Sequence, residues 1–189
     1  MSAIQHLSAG RVVELDPASV QVSGRAIILI DPKFAHNVGA ALRAASCFGF
    51  DQLWFTGARV SMKSARGYRL PREERMKGYR STAVYQYDRV FDLMPPDVTP
   101  VAIEVLEQSE SLIPFEHPEQ AAYVFGPEDG SLPPGVRALC HRFVGIPTHH
   151  CLNLGASVNV TLYDRLTKTD PDARLQTHLA EDRGHFSNR

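Results

Sequence analysis

Between Ile146 and Leu166 the chain reads IPTHHCLNLGASVNVTLYDRL. An apolar strand ending in Ile-Pro runs into a short polar loop, and the helix pattern that follows opens on Leu-Asn-Leu-Gly and is rich in small residues. A strand end, a tight loop and a helix N-terminus present backbone N–H and C=O groups at one point, which suits a small polar ligand. Two earlier segments share this layout. Three such loops in one short chain point to one shared site.

Around these junctions the chain alternates strand and helix. Arg25–Ile30 (RAIILI) is a continuous apolar run bounded by Gly24 and Asp31-Pro32, as expected of a strand buried on both faces. Asn37 can cap a helix over 38–48, which Gly49 terminates. Further strands are expected at 52–56, 83–87, 100–106, 121–125 and 143–146, with short helices at 89–94 and 134–140. A long helix runs from Asn153 to about Thr167. This alternation predicts an α/β fold with a mostly parallel sheet flanked by helices, whose ligands bind at the carboxyl ends of the strands. Residues 1–24 and 168–189 are polar and weakly patterned, and are expected to be an N-terminal extension and a C-terminal tail around one domain at 25–167. With 189 residues and 43% hydrophobic content, such a domain can bury a substantial core.

Composition narrows the setting. No apolar run approaches the roughly 20 residues a membrane helix needs. The opening MSAIQHLSAGRVVELD lacks the charged start and apolar centre of a signal peptide. The cysteines, Cys47, Cys140 and Cys151, are odd in number and scattered, which fits free thiols in a reducing cytoplasm. Cys140, His141, His149, His150 and Cys151 do not have the spacing of the usual zinc pairs, so no metal is expected.

The net charge of −1 conceals an asymmetry. Eight basic residues (Arg59, Lys63, Arg66, Arg69, Arg72, Arg75, Lys77 and Arg80) face only Glu73 and Glu74 between 59 and 80, a local charge of +6. The remaining 12 basic and 19 acidic residues carry −7. A basic stripe on an acidic protein has the footprint of a nucleic-acid binder. Tyr68 and Tyr79 within it could stack on unpaired bases. A solvated loop of salt-bridged charges accounts for the same composition equally well.

The first of the two earlier junctions, DPKFAHNVGAALRAASCFGF, carries Asn37, Gly39 and Arg43 in an N-x-G-x-x-x-R pattern on an alanine-rich helix. Its small residues allow close approach of another backbone, and Gly39 and Arg43 share one face. The plain alternatives are a capping Asn37 and a surface Arg43. The second, AAYVFGPEDGSLPPGV, turns at Gly126-Pro127 and then presents Glu128-Asp129-Gly130, where glycine lets a ligand lie against the backbone. The plain alternative for Glu128 is a turn carboxylate facing water. Neither a Walker loop nor a G-x-G-x-x-G turn is present.

The N-x-G-x-x-x-R helix, the FGPE turn and the IP…LN segment, in this order, resemble the three motifs of the SpoU (TrmH-type) RNA 2′-O-ribose methyltransferases of the SPOUT superfamily, over roughly residues 25–167. The resemblance implies a C-terminal trefoil knot, S-adenosyl-L-methionine as cofactor and a homodimer with the site near the subunit interface. It implies that Asn37, Arg43, Glu128 and Asn153 belong to the catalytic and RNA-binding set. It also implies that Glu104, Gly126, Ile146, Cys151 and Leu152 line the cofactor site. The chain departs from the family pattern in three places. Cys151 stands where many members have serine, and a thiol donates more weakly. Gly130 lies one place before the usual glycine position, which Ser131 holds. The basic 59–80 stretch falls outside the pattern.

The implied reaction is methyl transfer to a ribose 2′-hydroxyl, with tRNA preferred over ribosomal RNA. A guanidinium, with a pKa above about 12, is a poor base, so Arg43 is assigned to the phosphate of the target nucleotide. Asn153 is assigned to orienting the hydroxyl, and Glu128 to ordering Arg43 or groups on the RNA. The rival reading from another class is a non-catalytic RNA-binding protein on the same fold.

Overall fold

A strand such as RAIIL can leave neither face in water, and the structure covers both. The computed structural model describes residues 3–8, 11–61 and 82–170. Among them, nine strands form one sheet: β1 (Ile4–Ser8), β2 (Arg11–Leu15), β3 (Arg25–Leu29), β4 (Gln52–Phe55), β5 (Ala83–Gln86), β6 (Thr99–Ile103), β7 (Glu110–Ser111), β8 (Ala121–Phe125) and β9 (Arg142–Gly145). The α-helices are α1 (Ala35–Cys47), α2 (Pro134–Arg137) and α3 (Leu154–Thr169). The strand order is β2-β1-β5-β4-β3-β8-β6-β9-β7. Every pairing from β5 to β7 is parallel. Only β1, against β2 and β5, is antiparallel.

Alternation along each strand divides the core. Ile27 and Leu29 of β3, Leu53 and Phe55 of β4, and Tyr123 and Phe125 of β8 pack under Val38 and Leu42 of α1 and Val158 and Leu162 of α3. Ala26, Ile28, Trp54, Ala122 and Val124 face the other way, against Val22, Val90, Leu132 and Cys140. Both long helices therefore lie on one face. Phe48 closes α1 through its N–H to the Ala44 carbonyl, and Gly49, at φ +72°, supplies the left-handed turn that follows.

Five expectations change. The helix expected at 134–140 ends at Arg137. Asn37 does not cap α1, which begins two residues earlier with Phe34 at its cap position. β6 ends at Ile103, because Ser109 Oγ donates to the Glu104 carbonyl (2.7 Å) and accepts from Leu106 N–H (3.1 Å), turning 104–109 out of the sheet. The segment at 89–94 is a 3-10 turn over Val90–Leu93. Residues before Arg25 do more than extend the chain: β1 and β2 add a hairpin to the sheet, with Ile4 fully buried beneath it. The tail expectation falls largely outside the described residues, while α3 itself continues to Thr169.

Strand β9 lies between β6 and β7, which follow one another in the chain. The 104–109 connection therefore passes over the exit of β9, tied down by Glu104 N–H to the Val144 carbonyl (3.0 Å) and Leu112 N–H to the Gly145 carbonyl (2.9 Å).

The far end of α3 is fastened by a buried arginine. Arg165 Nη1 donates to the Pro118 carbonyl (2.6 Å) and Tyr123 Oη (3.2 Å), and Nη2 to the Glu119 carbonyl (2.7 Å). Burial pushes the Tyr123 hydroxyl up to about 12, so it stays neutral in this cluster. His117 bridges Tyr123 Oη and Asp164 Oδ2, the latter at 2.8 Å. An Arg165→Ala variant strands these carbonyls and is expected to lose about 2–3 kcal/mol of stability in urea unfolding.

Candidate active site

Parallel pairing puts the carboxyl ends of β3, β8, β6 and β9 side by side, in that order. The loops that leave them, at 30–34, 126–133, 104–109 and 146–153, meet along one rim of the sheet. These include the three junctions that the sequence singles out, together with the loop bearing Glu104.

Glu128 is the hub of this rim. Its Oε2 accepts Lys33 N–H at 2.7 Å, and its Oε1 accepts Phe34 N–H at 3.3 Å and Asn37 Nδ2 at 2.6 Å. The carboxylate thus serves the donors ahead of α1 that no neighbouring side chain caps, which is why Asn37 is released from that role. Asn37 is buried in the first turn instead. Its Oδ1 accepts Asn153 Nδ2 at 3.0 Å, and Asn153 Oδ1 accepts Ala156 N–H at 3.0 Å as the N-cap of α3. The amide orientations follow from the two ends: a carboxylate only accepts, and a backbone N–H only donates. Every donor in the chain therefore points from the α3 N-terminus toward Glu128, an arrangement in which each bond polarises the next.

Electrostatics agree with that direction. Burial works against the Glu128 charge, but hydrogen bonds from Asn37, Lys33 N–H and Phe34 N–H outweigh it, and its pKa lies below the ordinary 4.5. A carboxylate held in this way is a poor proton acceptor and a good orienting group.

Small residues bring the two helices close enough for this. A Cβ on Gly155 would lie 2.8 Å from Ala40 Cβ and 3.3 Å from Asn153 Oδ1. Beside the hub, Glu104 Oε2 accepts Leu132 N–H at 2.7 Å, and a Cβ on Gly126 would come within 3.2 Å of that same nitrogen and 3.6 Å of Glu104 Oε2. Glu104 Oε1 has no hydrogen-bond partner among the described residues. Ile146 is half-buried, while Cys151 and Leu152 are exposed on the 146–153 loop.

Of the sequence-singled residues, Asn37, Glu128 and Asn153 are joined in one network, while Glu104 and Gly126 both lie against Leu132 N–H. Arg43 lies on an exposed flank of α1, roughly 120° around the helix from Asn37. Lys63, Arg66, Arg69, Arg72, Arg75, Lys77 and Arg80 lie outside the described residues, as do Tyr68 and Tyr79. Arg59 is described, and its guanidinium is engaged by Asp31 and Asp129. Sequence reasoning passed over Lys33, Asp31 and Asp129; the adjacency of Asp129 to Glu128 was the one available signal. Among the described residues, no group of three His, Cys, Asp or Glu side chains is placed to hold a metal ion.

Two measurements check this geometry. Gly155→Ala is expected to cost about 1–3 kcal/mol in thermal unfolding, since α1 and α3 must separate to admit the methyl group. Because the folded pKa of Glu128 is below its unfolded value, its charge stabilises the fold above about pH 4.5, and that contribution is lost as pH falls through the folded value. Glu128→Gln is expected to be less stable at neutral pH and to show a shallower acid dependence, read from unfolding midpoints between about pH 3 and 7.

The sequence pattern of the SpoU rRNA Methylase family matches residues 24–163. A comparison with curated protein sequences finds no match. Among solved structures, the A. aeolicus TrmH/SpoU tRNA modifying enzyme superposes with a TM-score of 0.65 at 14% identity, over 79% of this chain and 77% of that one. The SpoU methyltransferase AviRb from Streptomyces viridochromogenes, solved in complex with AdoMet, gives 0.62 at 17% identity, over 84% and 67%. A structure described as giving insights into the 2-OH methylation of C/U34 on tRNA gives 0.63 at 21% identity, over 77% of this chain and 96% of that one. At these identities the superpositions speak for the fold, and the family match covers most of the chain: the protein belongs to the SpoU rRNA methylase family.

Proposed function

We propose that this protein transfers a methyl group from S-adenosyl-L-methionine to a ribose 2′-hydroxyl of RNA, tRNA in preference to ribosomal RNA. The observation that carries the reading is the Glu128–Asn37–Asn153 chain, which directs donors across the strand ends. The similarity to a structure concerned with 2-OH methylation on tRNA favours tRNA.

The rim suits the cofactor. Glu104 Oε1 is an acceptor available to ribose hydroxyls, Gly126 lets the Leu132 N–H and Glu104 pack against the strand end, and Ile146 with Leu152 offers apolar contact for an adenine. Backbone groups around Cys151 complete the set, so replacing the family's serine with a thiol removes little. When bound, the cofactor would supply an electrophilic methyl on a sulfonium and leave as a neutral thioether, the hydroxyl proton passing to water, so that alignment of the nucleophile is left to the protein. Asn153, with a second N–H on Nδ2 besides the one given to Asn37, orients the target hydroxyl. Glu128 and Asn37 hold Asn153 in place. Arg43, exposed and permanently charged, grips a phosphate of the target nucleotide. The seven basic residues between 63 and 80, against only Glu73 and Glu74, supply long-range attraction for RNA.

The passage of the 104–109 connection over the exit of β9 favours the trefoil threading of this family. Exposure of Val160 and Tyr163 on α3 and of Phe34 before α1 favours pairing of two copies through this helical face, with the site near their contact.

Calorimetric titration of S-adenosyl-L-methionine, followed by tritiated-methyl transfer to bulk tRNA and rRNA, tests the proposal. Binding with label entering the tRNA pool is expected, and absence of binding would overturn it. Asn37→Ala is expected to lower kcat about 100-fold, because Asn153 then loses its registration on Glu128.

A further inference from the structure

Charge alone assigns Arg59 to RNA phosphates, as the first cation of the basic stretch. Its contacts assign it elsewhere. Nη1 donates to both oxygens of Asp129, at 2.8 and 3.1 Å, Nε lies 2.9 Å from Asp31 Oδ2, and Nη2 donates to the Asp31 carbonyl. All three nitrogens are thus turned inward on the protein. Asp129 also meets Lys33 Nζ at 3.1 Å, and hydrogen bonds from Arg59 and Lys33 hold its carboxyl at about 2.

The surroundings are built around this fork. Asp31 adopts φ +43°, the one non-glycine residue with positive φ among the described residues. Gly57, at φ +78°, makes room for its carboxylate, since a Cβ there would lie 2.0 Å from Asp31 Oδ1. Gln86 Nε2 anchors the arm that carries Arg59, donating to the Gly57 and Val60 carbonyls at 2.8 and 3.0 Å. Arg59 therefore spans the exits of β4, β3 and β8, and it grips the residue next to Glu128.

We propose that Arg59 is a positioning residue of the methyl-transfer site rather than an RNA contact: anchored on Asp31, it clamps Asp129 together with Lys33, and this sets the Glu128 carboxylate against α1. The inference rests on the methyltransferase reading above. The strut engages a turn position, 129, outside the motif residues that carry the family resemblance.

Steady-state kinetics of the full chain on the RNA pool it methylates, over a range of salt, separates the two roles. Asp129→Asn, Arg59→Ala and Arg59→Lys are each expected to lower kcat about 10- to 100-fold with KM for RNA nearly unchanged. Lysine keeps the charge but lacks the fork, so it should not rescue. The double variant Arg59→Ala/Asp129→Asn should be no worse than the poorer single one. A phosphate contact would behave otherwise. Arg59→Ala would raise KM and reduce the salt slope by about 1, Arg59→Lys would retain function, and Asp129→Asn would tighten RNA binding; any of these overturns the inference. If the wild-type protein itself transferred no methyl group, the functional reading would fail. Filter binding would still decide this point: unchanged RNA affinity in Arg59→Ala supports the strut, and weakened affinity rejects it.

Discussion

A carboxylate drawn partly out of water must find donors, and Glu128 finds them in a segment more than ninety positions away in the chain: two backbone N–H groups at 33 and 34 and the amide of Asn37. Much of the rim follows from that demand. Taking Lys33 and Phe34 N–H fixes where α1 begins. Taking the Asn37 amide turns its oxygen toward Asn153, and Asn153 in turn fixes where α3 begins. Three segments distant in sequence are thereby registered by one negative charge, and the positive end of α3 lies at the other end of the same hydrogen-bond chain.

Such a chain tolerates little slack, and the packing supplies none. The alanine-rich face of α1 and Gly155 of α3 let the two helices approach to the limit of van der Waals contact. Arg165 and its partners hold the far end of α3 to the loop before β8, so the helix is fixed at both ends. The parallel sheet beneath places four strand exits in a row, where backbone groups, Glu104 and Glu128 converge. Rigid elements carry the side chains, which is the condition for orientation to contribute to rate.

Much of this is legible in the residues. RAIILI and AAYVF read as strands because they are short, continuously apolar and bounded by Gly24 and Asp31-Pro32 in one case and by Gly126-Pro127 in the other. Asn153 reads correctly as a helix start because its cap is local, made to Ala156 three residues on. Asn37 misleads for the complementary reason: the donors it was expected to satisfy are taken by a carboxylate distant in sequence. The β1–β2 hairpin is hard to see because an edge pair with Ile4 as its one fully buried residue leaves no alternation to detect. The ion pairs of Arg59 are not legible from its neighbours in sequence, since a cluster of cations says nothing about which of them has a carboxylate at hand.

The central claim, that this donor chain orients a ribose hydroxyl for methylation, is tested most directly by the chemistry of the product. A 2′-O-methyl group removes the nucleophile that cleaves the adjacent phosphodiester in alkali. RNA labelled by the protein with tritiated methyl groups should therefore yield the label in alkali-resistant dinucleotides. Label recovered in mononucleotides would place the methyl on a base and contradict the account.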